Sequence, residues 1–301
     1  MIPRSLRTAI RAGLPLLAGT ALLAQVPVPP GTDIYLLPMH GGPEALREAR
    51  PVAVARRPGY DNQPSFSSDG AHLYFTASVD GAETDAWEFT RPSGALRRLW
   101  HTPESEYSPT PTPDGGLSVI RVEADGTQRL WRFPLDGGTP RPVLPDIKPV
   151  GYHAWVGDDR LALFVLGDPN SLVVTAPGPG VGRVAANRIG RSLHRVPGTR
   201  LASFAQEVDG RWWLSTVDVD SLAVARLTPA VDGSANHDYA WLPDGSGVLM
   251  SAGSRLHAWR RGEDGWTAVF DAADHGLGAL SRVAIAPGGD AVAVVVDEAP
   301  R

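Results

Sequence analysis

Cysteine is absent from the sequence, so neither disulfide bonds nor a lipid-modified cysteine can stabilise or anchor this chain. After residue 24 no stretch approaches the roughly 18 unbroken apolar residues of a membrane-spanning helix, and we expect no membrane span there. The H-E-x-x-H and G-x-S-x-G patterns, the EF-hand loop and the P-loop are also missing. Stability must come from a hydrophobic core, which 301 residues with 43% hydrophobic content can form.

Positive charge is in deficit. The formal net charge is −5, and it becomes −8 without residues 1–24, which carry three arginines and no acidic residue. Nucleic-acid binding needs clustered Lys and Arg side chains that neutralise phosphates. The composition therefore predicts no nucleic-acid partner.

The first 24 residues have the pattern of a secretory signal peptide. Arg4, Arg7 and Arg11 form a positive region, and the apolar stretch 12–24 that follows is too short to span a bilayer. Small residues between Ala21 and Ala24 offer cleavage sites. An uncleaved anchor is the alternative interpretation. We expect export to the periplasm or the medium as a soluble monomer.

A strand, a tight turn and a second strand recur six times along the chain. The residue just before each turn recurs at intervals of 40 to 46 residues: Ser68, Pro113, Gly157, Pro197, Pro243 and Pro287. Asp69-Gly70 and Asp114-Gly115 supply the positive φ angles that tight hairpin turns require. A β-rich repeat of this period is typical of propeller blades.

Each of the first five hairpins is followed by two more strand-like segments, which makes a four-stranded antiparallel blade. The sixth hairpin has none, and the missing pair is found at 33–37 and 52–55. The sequence therefore predicts an all-β, six-bladed propeller in which the N-terminal strands complete the last blade. Between these strands, residues 43–49 are predicted to form one helical turn. We divide the chain into a signal peptide, 1–24, and a single propeller domain, 25–301.

Two copies of the turn carry a family resemblance. Pro64–Gly70 is PSFSSDG and Tyr239–Gly245 is YAWLPDG, and an apolar second strand follows each. This pattern resembles the WD40-like (PD40) repeat of TolB-like six-bladed propellers over nearly all of residues 31–298. TolB is a periplasmic protein that binds an outer-membrane lipoprotein and has an extra α/β domain before its propeller. Too few residues precede residue 33 for that domain, so a Tol–Pal role is not expected.

No motif specifies a metal, but two groups of side chains are candidate metal ligands. Lactonase-type propellers hold a central Ca²⁺ with Asn, Asp and Glu side chains, and the residues that could mimic this set are Asp61, Asn62, Glu106 and Asp238. His153, His194 and His237 could converge on a metal from three blades. The alternatives are turn capping by the aspartates and polar packing of the channel by the histidines. No cofactor is expected, and the identity of any metal stays open.

Nine tryptophans lie mostly in the third and fourth strands of the predicted blades. They could form a platform on which carbohydrate rings stack. They could equally fill the wedge-shaped gaps between blades, and we favour this packing interpretation.

The loops before the six hairpins reach one rim of a propeller channel, so we predict that ligands bind there. The candidate binding residues are Asp61, Asn62, Tyr107, Tyr152, His153, His194, Asp238 and Tyr239. No residue is assigned a catalytic role. The sequence favours an exported binding or scaffold module for a protein, peptide or glycan. A small metal-assisted hydrolase or lyase with its site in the channel is the alternative.

Overall fold

The computed structural model of the protein describes residues 30–78 and 83–298, which contain 24 strands and two short 3₁₀ helices. The predicted signal peptide lies outside the described residues. In the described part of the chain, neither helix has the length or the apolar character needed to cross a membrane.

The strands are short and follow one another closely. In chain order they are β1 (Thr32–Pro38), β2 (Val52–Ala55), β3 (Tyr60–Phe66), β4 (His72–Ser78), β5 (Thr84–Thr90), β6 (Ala95–Arg98), β7 (Ser105–Pro111), β8 (Leu117–Val122), β9 (Gln128–Phe133), β10 (Arg141–Pro142), β11 (Val150–Val156), β12 (Arg160–Val165), β13 (Ser171–Thr175), β14 (Arg183–Asn187), β15 (Ile189–Arg195), β16 (Leu201–Val208), β17 (Arg211–Asp218), β18 (Val224–Pro229), β19 (Tyr239–Trp241), β20 (Gly247–Ala252), β21 (Arg255–Arg260), β22 (Thr267–Asp271), β23 (Leu280–Ile285) and β24 (Ala291–Asp297). The 3₁₀ helices are Pro43–Glu48 and Ala272–His275, and the first confirms the predicted helical turn.

The strands assemble into antiparallel units of four, as the sequence predicts. Strands β7–β10, β11–β14, β15–β18 and β19–β22 form four separate sheets. The remaining eight strands form two further units, β3–β6 and β23–β24–β1–β2. A single parallel pairing between Thr32 and Tyr60 joins these two units into one eight-stranded sheet.

The N-terminal strands extend the C-terminal hairpin. β1 pairs with β24 along its whole length, from Thr32 opposite Asp297 to Pro38 opposite Ala291. β2 then pairs with the free edge of β1. Ile34 is fully buried at this junction. The two ends of the described chain are therefore held side by side by backbone hydrogen bonds.

The hairpin turns have the chemistry that the sequence indicates. Gly70 adopts a φ of 70°, and the Asp69 carboxylate accepts hydrogen bonds from the Ala71 amide at 3.0 Å and the Ser67 hydroxyl at 2.6 Å. A turn of the same kind follows β17, where Asp218 Oδ1 accepts from the amides of Asp220 and Ser221. Aspartate thus fixes these turns by bonding to backbone amides two or three residues later.

The core lies between the faces of neighbouring units. Five clusters of buried hydrophobic residues each draw side chains from two neighbouring units. Trp100 and Phe133 stack with ring centroids 4.5 Å apart, which joins β3–β6 to β7–β10. The Arg57 guanidinium lies 4.0 Å from the Trp87 ring centroid. These contacts agree with the packing interpretation of the tryptophans.

Two buried serines join neighbouring units in the same way. The Ser203 hydroxyl on β16 accepts from Tyr239 Oη at 2.8 Å and from Trp241 Nε1 at 2.7 Å, both on β19. On β8, Ser118 accepts from Trp155 Nε1 at 2.9 Å, and its Oγ lies 2.6 Å from His153 Nε2. In both places, a serine hydroxyl on the second strand of one unit forms hydrogen bonds with two side chains, each carrying a ring, on the first strand of the next unit.

We predict that Ser203→Ala destabilises the protein, because it leaves two buried donors without an acceptor. Each such group costs about 1–3 kcal/mol. Ser118→Ala should cost less, because Trp155 is only half-buried and water can replace the lost acceptor. Urea unfolding measures both, and the exposed Ser68→Ala is the control. Equal stability of Ser203→Ala and Ser68→Ala would contradict this account.

Deletion of residues 33–55 should prevent normal folding, because it removes nearly all of β1, the partner of β24 on its outer side, together with β2, which pairs with β1. The exposed edge would pair with other chains and promote aggregation. Size-exclusion chromatography and thermal melting measure the outcome against a chain that lacks only residues 1–24. A monomer with unchanged melting would show that β24 does not depend on β1.

Candidate functional site

The first strand of every unit contributes to one cavity of about 450 Å³. Its walls come from β3, β7, β11, β15, β19 and β23, together with the residues that immediately flank these strands. Side chains that are distant in sequence therefore meet in one concave space, which is the usual setting of a binding site.

One position of the repeat forms a polar collar in this cavity. It lies five residues before the turn position noted above and is occupied by Gln63, Ser108, Tyr152, Ser192, Asp238 and Arg282. All six residues line the cavity. Each unit thus contributes one polar side chain from the equivalent repeat position to the cavity wall.

The most strongly charged part of the collar is a cluster of two arginines around one carboxylate. Asp238 Oδ2 accepts from Arg191 Nη2 at 2.7 Å, and Asp238 Oδ1 accepts from Arg282 Nη1 at 3.3 Å. The Asp238 side chain is 2% exposed and that of Arg282 is 13% exposed. Low exposure strengthens these charge-assisted hydrogen bonds.

Tyr152 extends the cluster toward the neighbouring unit. Arg282 Nη2 donates to Tyr152 Oη at 3.0 Å, and the Arg282 guanidinium lies 4.8 Å from the Tyr152 ring centroid. Tyr60 and Tyr107 meet edge to face, with centroids 6.5 Å apart. Burial raises the pKa of Tyr60, while the charge of Arg282 opposes this rise. Tyr60 therefore stays neutral beside the charge of Arg282.

Both histidines of the cavity wall are neutral at pH 7. Burial lowers the pKa of His153 to about 3. Burial also lowers the pKa of His194 to about 4, although Asp238 opposes the shift. Each ring has a serine partner: His153 bonds with Ser118, and His194 Nε2 lies 3.0 Å from Ser192 Oγ. These contacts agree with polar packing of the channel.

Neither of the two candidate groups of metal ligands comes together among the described residues. His237 stacks on Trp212 at a centroid distance of 4.2 Å, and His153 and His194 are bonded to separate serines. Across residues 30–78 and 83–298, no group of three or more His, Cys, Asp and Glu side chains is placed to hold a metal ion.

Four of the eight predicted site residues line the cavity, namely Tyr152, His153, His194 and Asp238. The other four, Asp61, Asn62, Tyr107 and Tyr239, are not among its lining residues. Asp61 Oδ1 accepts from Arg57 Nη2 at 2.6 Å, and Asn62 Nδ2 donates to Thr32 Oγ1 at 3.2 Å. Asp61 and Asn62 thus serve the junction between β1 and β3.

The sequence prediction omitted Gln63, Ser108, Arg191, Ser192 and Arg282, all of which line the cavity. Four of them could have been found by counting five residues back from each turn. Arg191 lies one residue before the counted position, next to Ser192.

Glu106 is a buried carboxyl outside the cavity lining. Its side chain is fully buried, and Oε1 accepts from Thr102 Oγ1 at 2.5 Å. Burial, reinforced by the charge of Asp85, raises the pKa of Glu106 to about 7, while Thr102 and Arg121 oppose the shift. Glu106 therefore changes its charge within the physiological range.

Glu106 should make stability fall as the pH rises from 4.5 to about 7. Over this interval the unfolded chain has lost the proton that the folded chain retains, so the folded state binds more protons. Glu106→Gln should flatten the fall, as measured by urea unfolding at both limits. Glu123→Gln is the control, because a hydrogen bond from Arg129 lowers the pKa of Glu123 instead. An unchanged slope in Glu106→Gln would contradict the assignment.

Solved structures provide the relatives of this fold. No protein-family model matches the sequence, and no curated protein sequence matches it. A structure from Agrobacterium tumefaciens assigned as TolB superposes with a TM-score of 0.68 at 17% identity, over 88% of this chain and 97% of that one. TolB from Acinetobacter baumannii gives 0.56 at 12% identity, over 89% and 64% respectively.

A structure assigned as a gluconolactonase gives a TM-score of 0.57 at 12% identity, over 79% of this chain and 88% of the other. The chain spans less than two thirds of the Acinetobacter TolB. At these identities the comparisons concern the fold. Together with the four-stranded antiparallel units, they show that this chain has a TolB-like β-propeller fold.

Proposed function

We propose that the six four-stranded units are six blades around one channel, and that β1 and β2 complete the last blade. Two observations support this arrangement. The first strands of all six units line one cavity, and β1 pairs with β24 while bridging to β3 through Thr32. A ring closed in this way leaves no open edge between its first and last blades.

We propose that the protein is an exported binding module that takes its ligand, a protein segment, peptide or glycan, at the mouth of this channel. The cavity of about 450 Å³ carries the proposal. It combines the polar collar with apolar walls, and this mixture is typical of recognition sites. Export to the periplasm or the medium is supported by the sequence of residues 1–24, and a monomer is the expected state.

A metal-assisted hydrolase or lyase in the channel is the alternative, and the gluconolactonase-like fold is compatible with it. Binding is favoured because the carboxylate and one nitrogen of each histidine in the cavity already have partners, and the other nitrogen of His153, Nδ1, is buried without one among the described residues. Asp238 bonds two arginines, and His153 and His194 bond serines. A general base needs a lone pair within reach of substrate.

Filling the cavity should abolish binding without unfolding the protein. Thr110 is half-buried in the cavity wall, and its hydroxyl bonds only the Ser108 carbonyl of its own strand. In Thr110→Trp, the indole would occupy space that a ligand needs. The measurement is retention of members of a glycan array and of a tetrapeptide library by the purified wild type and variant, with melting temperatures recorded first.

Val181→Trp is the matched control, because Val181 is 82% exposed and is not among the cavity residues. Ligands bound by the wild type should be retained by Val181→Trp and lost by Thr110→Trp. Equal retention by both variants would place the binding surface outside the channel. Stoichiometric Ca²⁺ or Zn²⁺ in the same preparations would favour the alternative function.

A further inference from the structure

The cavity is positive although the protein as a whole is negative. Its lining includes three arginines, Arg191, Arg195 and Arg282, and one acidic residue, Asp238. The two histidines add no charge at pH 7, because burial lowers their pKa values to about 3 and about 4. The full sequence carries a formal charge of −5. Charge complementarity therefore favours an anionic ligand in this cavity.

The collar leaves one positive charge without a counter-ion. Arg191 and Arg282 share the single Asp238 carboxylate, and the Arg282 side chain is only 13% exposed. Among the described residues, no second carboxylate forms an ion pair with either arginine. A charge held with little access to water is costly unless it is paired. An anion that entered the cavity would supply the missing partner.

Donor groups are also available for such an anion. Within residues 30–78 and 83–298, Arg282 Nε and Arg191 Nη1 make no hydrogen bond. The Tyr152 hydroxyl accepts from Arg282, so its own hydrogen is free to donate. Guanidinium groups bind carboxylates through parallel hydrogen bonds, which gives both strength and direction.

The rest of the wall suits a peptide better than a sugar. Six prolines line the cavity: Pro64, Pro109, Pro111, Pro197, Pro243 and Pro287. Proline presents an apolar ring and no backbone N–H. Such a wall accepts apolar side chains but offers few donors to the many hydroxyls of a glycan.

We propose that the channel receives a peptide segment whose carboxylate binds Arg282 and Arg191, while Asp238 holds the two guanidinium groups in position. This inference rests on the proposed binding function and names the chemistry of its ligand. It predicts opposite effects for changes at the arginines and at the aspartate. Loss of an arginine removes a donor, whereas loss of the Asp238 charge removes repulsion toward the ligand.

The test compares a tetrapeptide library that has free C-terminal carboxylates with the same library amidated. Wild-type protein should retain the carboxylate library about tenfold more strongly, as expected for charge-assisted hydrogen bonds. Arg282→Met and Arg191→Met should each remove this preference. Arg282→Lys should restore part of it, because lysine keeps the charge but loses the planar fork. The exposed Arg183→Met is the matched control and should keep the preference, because Arg183 is not among the cavity residues.

Asp238→Asn should raise affinity for the carboxylate library while lowering the melting temperature, because both arginines then lack a counter-charge. Arg282→Met should melt close to wild type, since Asp238 keeps Arg191. A purely structural cluster would instead show parallel losses of melting and binding in all these variants. If Asp238→Asn does not fold, the two methionine variants decide the question.

Failure of this inference can be told apart from failure of the proposed function. Suppose that Thr110→Trp loses binding, while the wild type shows no preference for carboxylates. The channel would then still be the binding site, and only the anion assignment would be overturned. Equal binding by Arg282→Met and wild type would overturn it as well. Oligogalacturonate serves as a second probe. If the protein retains it and retains no peptide, the ligand is an acidic glycan and the peptide assignment is wrong. Binding unaffected by Thr110→Trp would overturn both proposals.

Discussion

The backbone ladder between β1 and β24 is the constraint on which the rest of the structure depends. It joins residues about 260 positions apart and holds seven residue pairs, from Thr32–Asp297 to Pro38–Ala291. Bringing together residues so far apart in sequence has an entropic cost, but this cost grows only slowly with the number of residues between them. A ladder of seven residue pairs can therefore offset it. Thr32 also donates through Oγ1 to the Asp61 carbonyl at 2.9 Å and accepts from Asn62. One residue thus links the last unit to the first.

Contacts at this junction and between other units explain why polar side chains are buried beside the cavity without lining it. Asp61 and Asn62 bond to Arg57 and to Thr32. Tyr239 bonds to Ser203 on the preceding unit. Buried polar groups need partners, and Asn62 and Tyr239 find them in neighbouring units, whereas Asp61 finds one for Oδ1 in the segment before its own strand. Arg282 of the collar and the neighbouring Arg191 differ, because both line the cavity and keep nitrogen atoms that bond to no other described residue. These two arginines are therefore the groups on which the proposed recognition depends.

The strands, the turns and the pairing partners of the N-terminal segment could be predicted from the sequence, because hairpin period and turn chemistry are local. Half of the candidate site residues could not be predicted. The regular alternation of side chains between the two faces of a strand is interrupted where the first strand of a unit reaches the cavity. Pairing shifts register between Asn62 and Ser65 in β3, and again between Leu280 and Arg282 in β23. Similar irregularities occur in β7, β11 and β15. Each one changes which neighbour faces inward.

These irregularities are maintained at an energetic cost, which suggests that side-chain placement in the cavity matters. Gln63 and Ser108 occupy equivalent repeat positions with φ angles of 57° and 54°, a region that non-glycine residues rarely adopt. The Gln63 carboxamide oxygen accepts from the Ser108 amide at 2.7 Å and from Thr76 Oγ1 at 3.0 Å, which stabilises both residues in place. A regular strand would have placed other side chains at this level. Arg188, Asp209, Leu222 and His237 also have positive φ angles, so strain alone does not single out the collar. The equivalent positions of Gln63 and Ser108 in the repeat, and the hydrogen bond between them, are what tie this strain to the shape of the cavity wall.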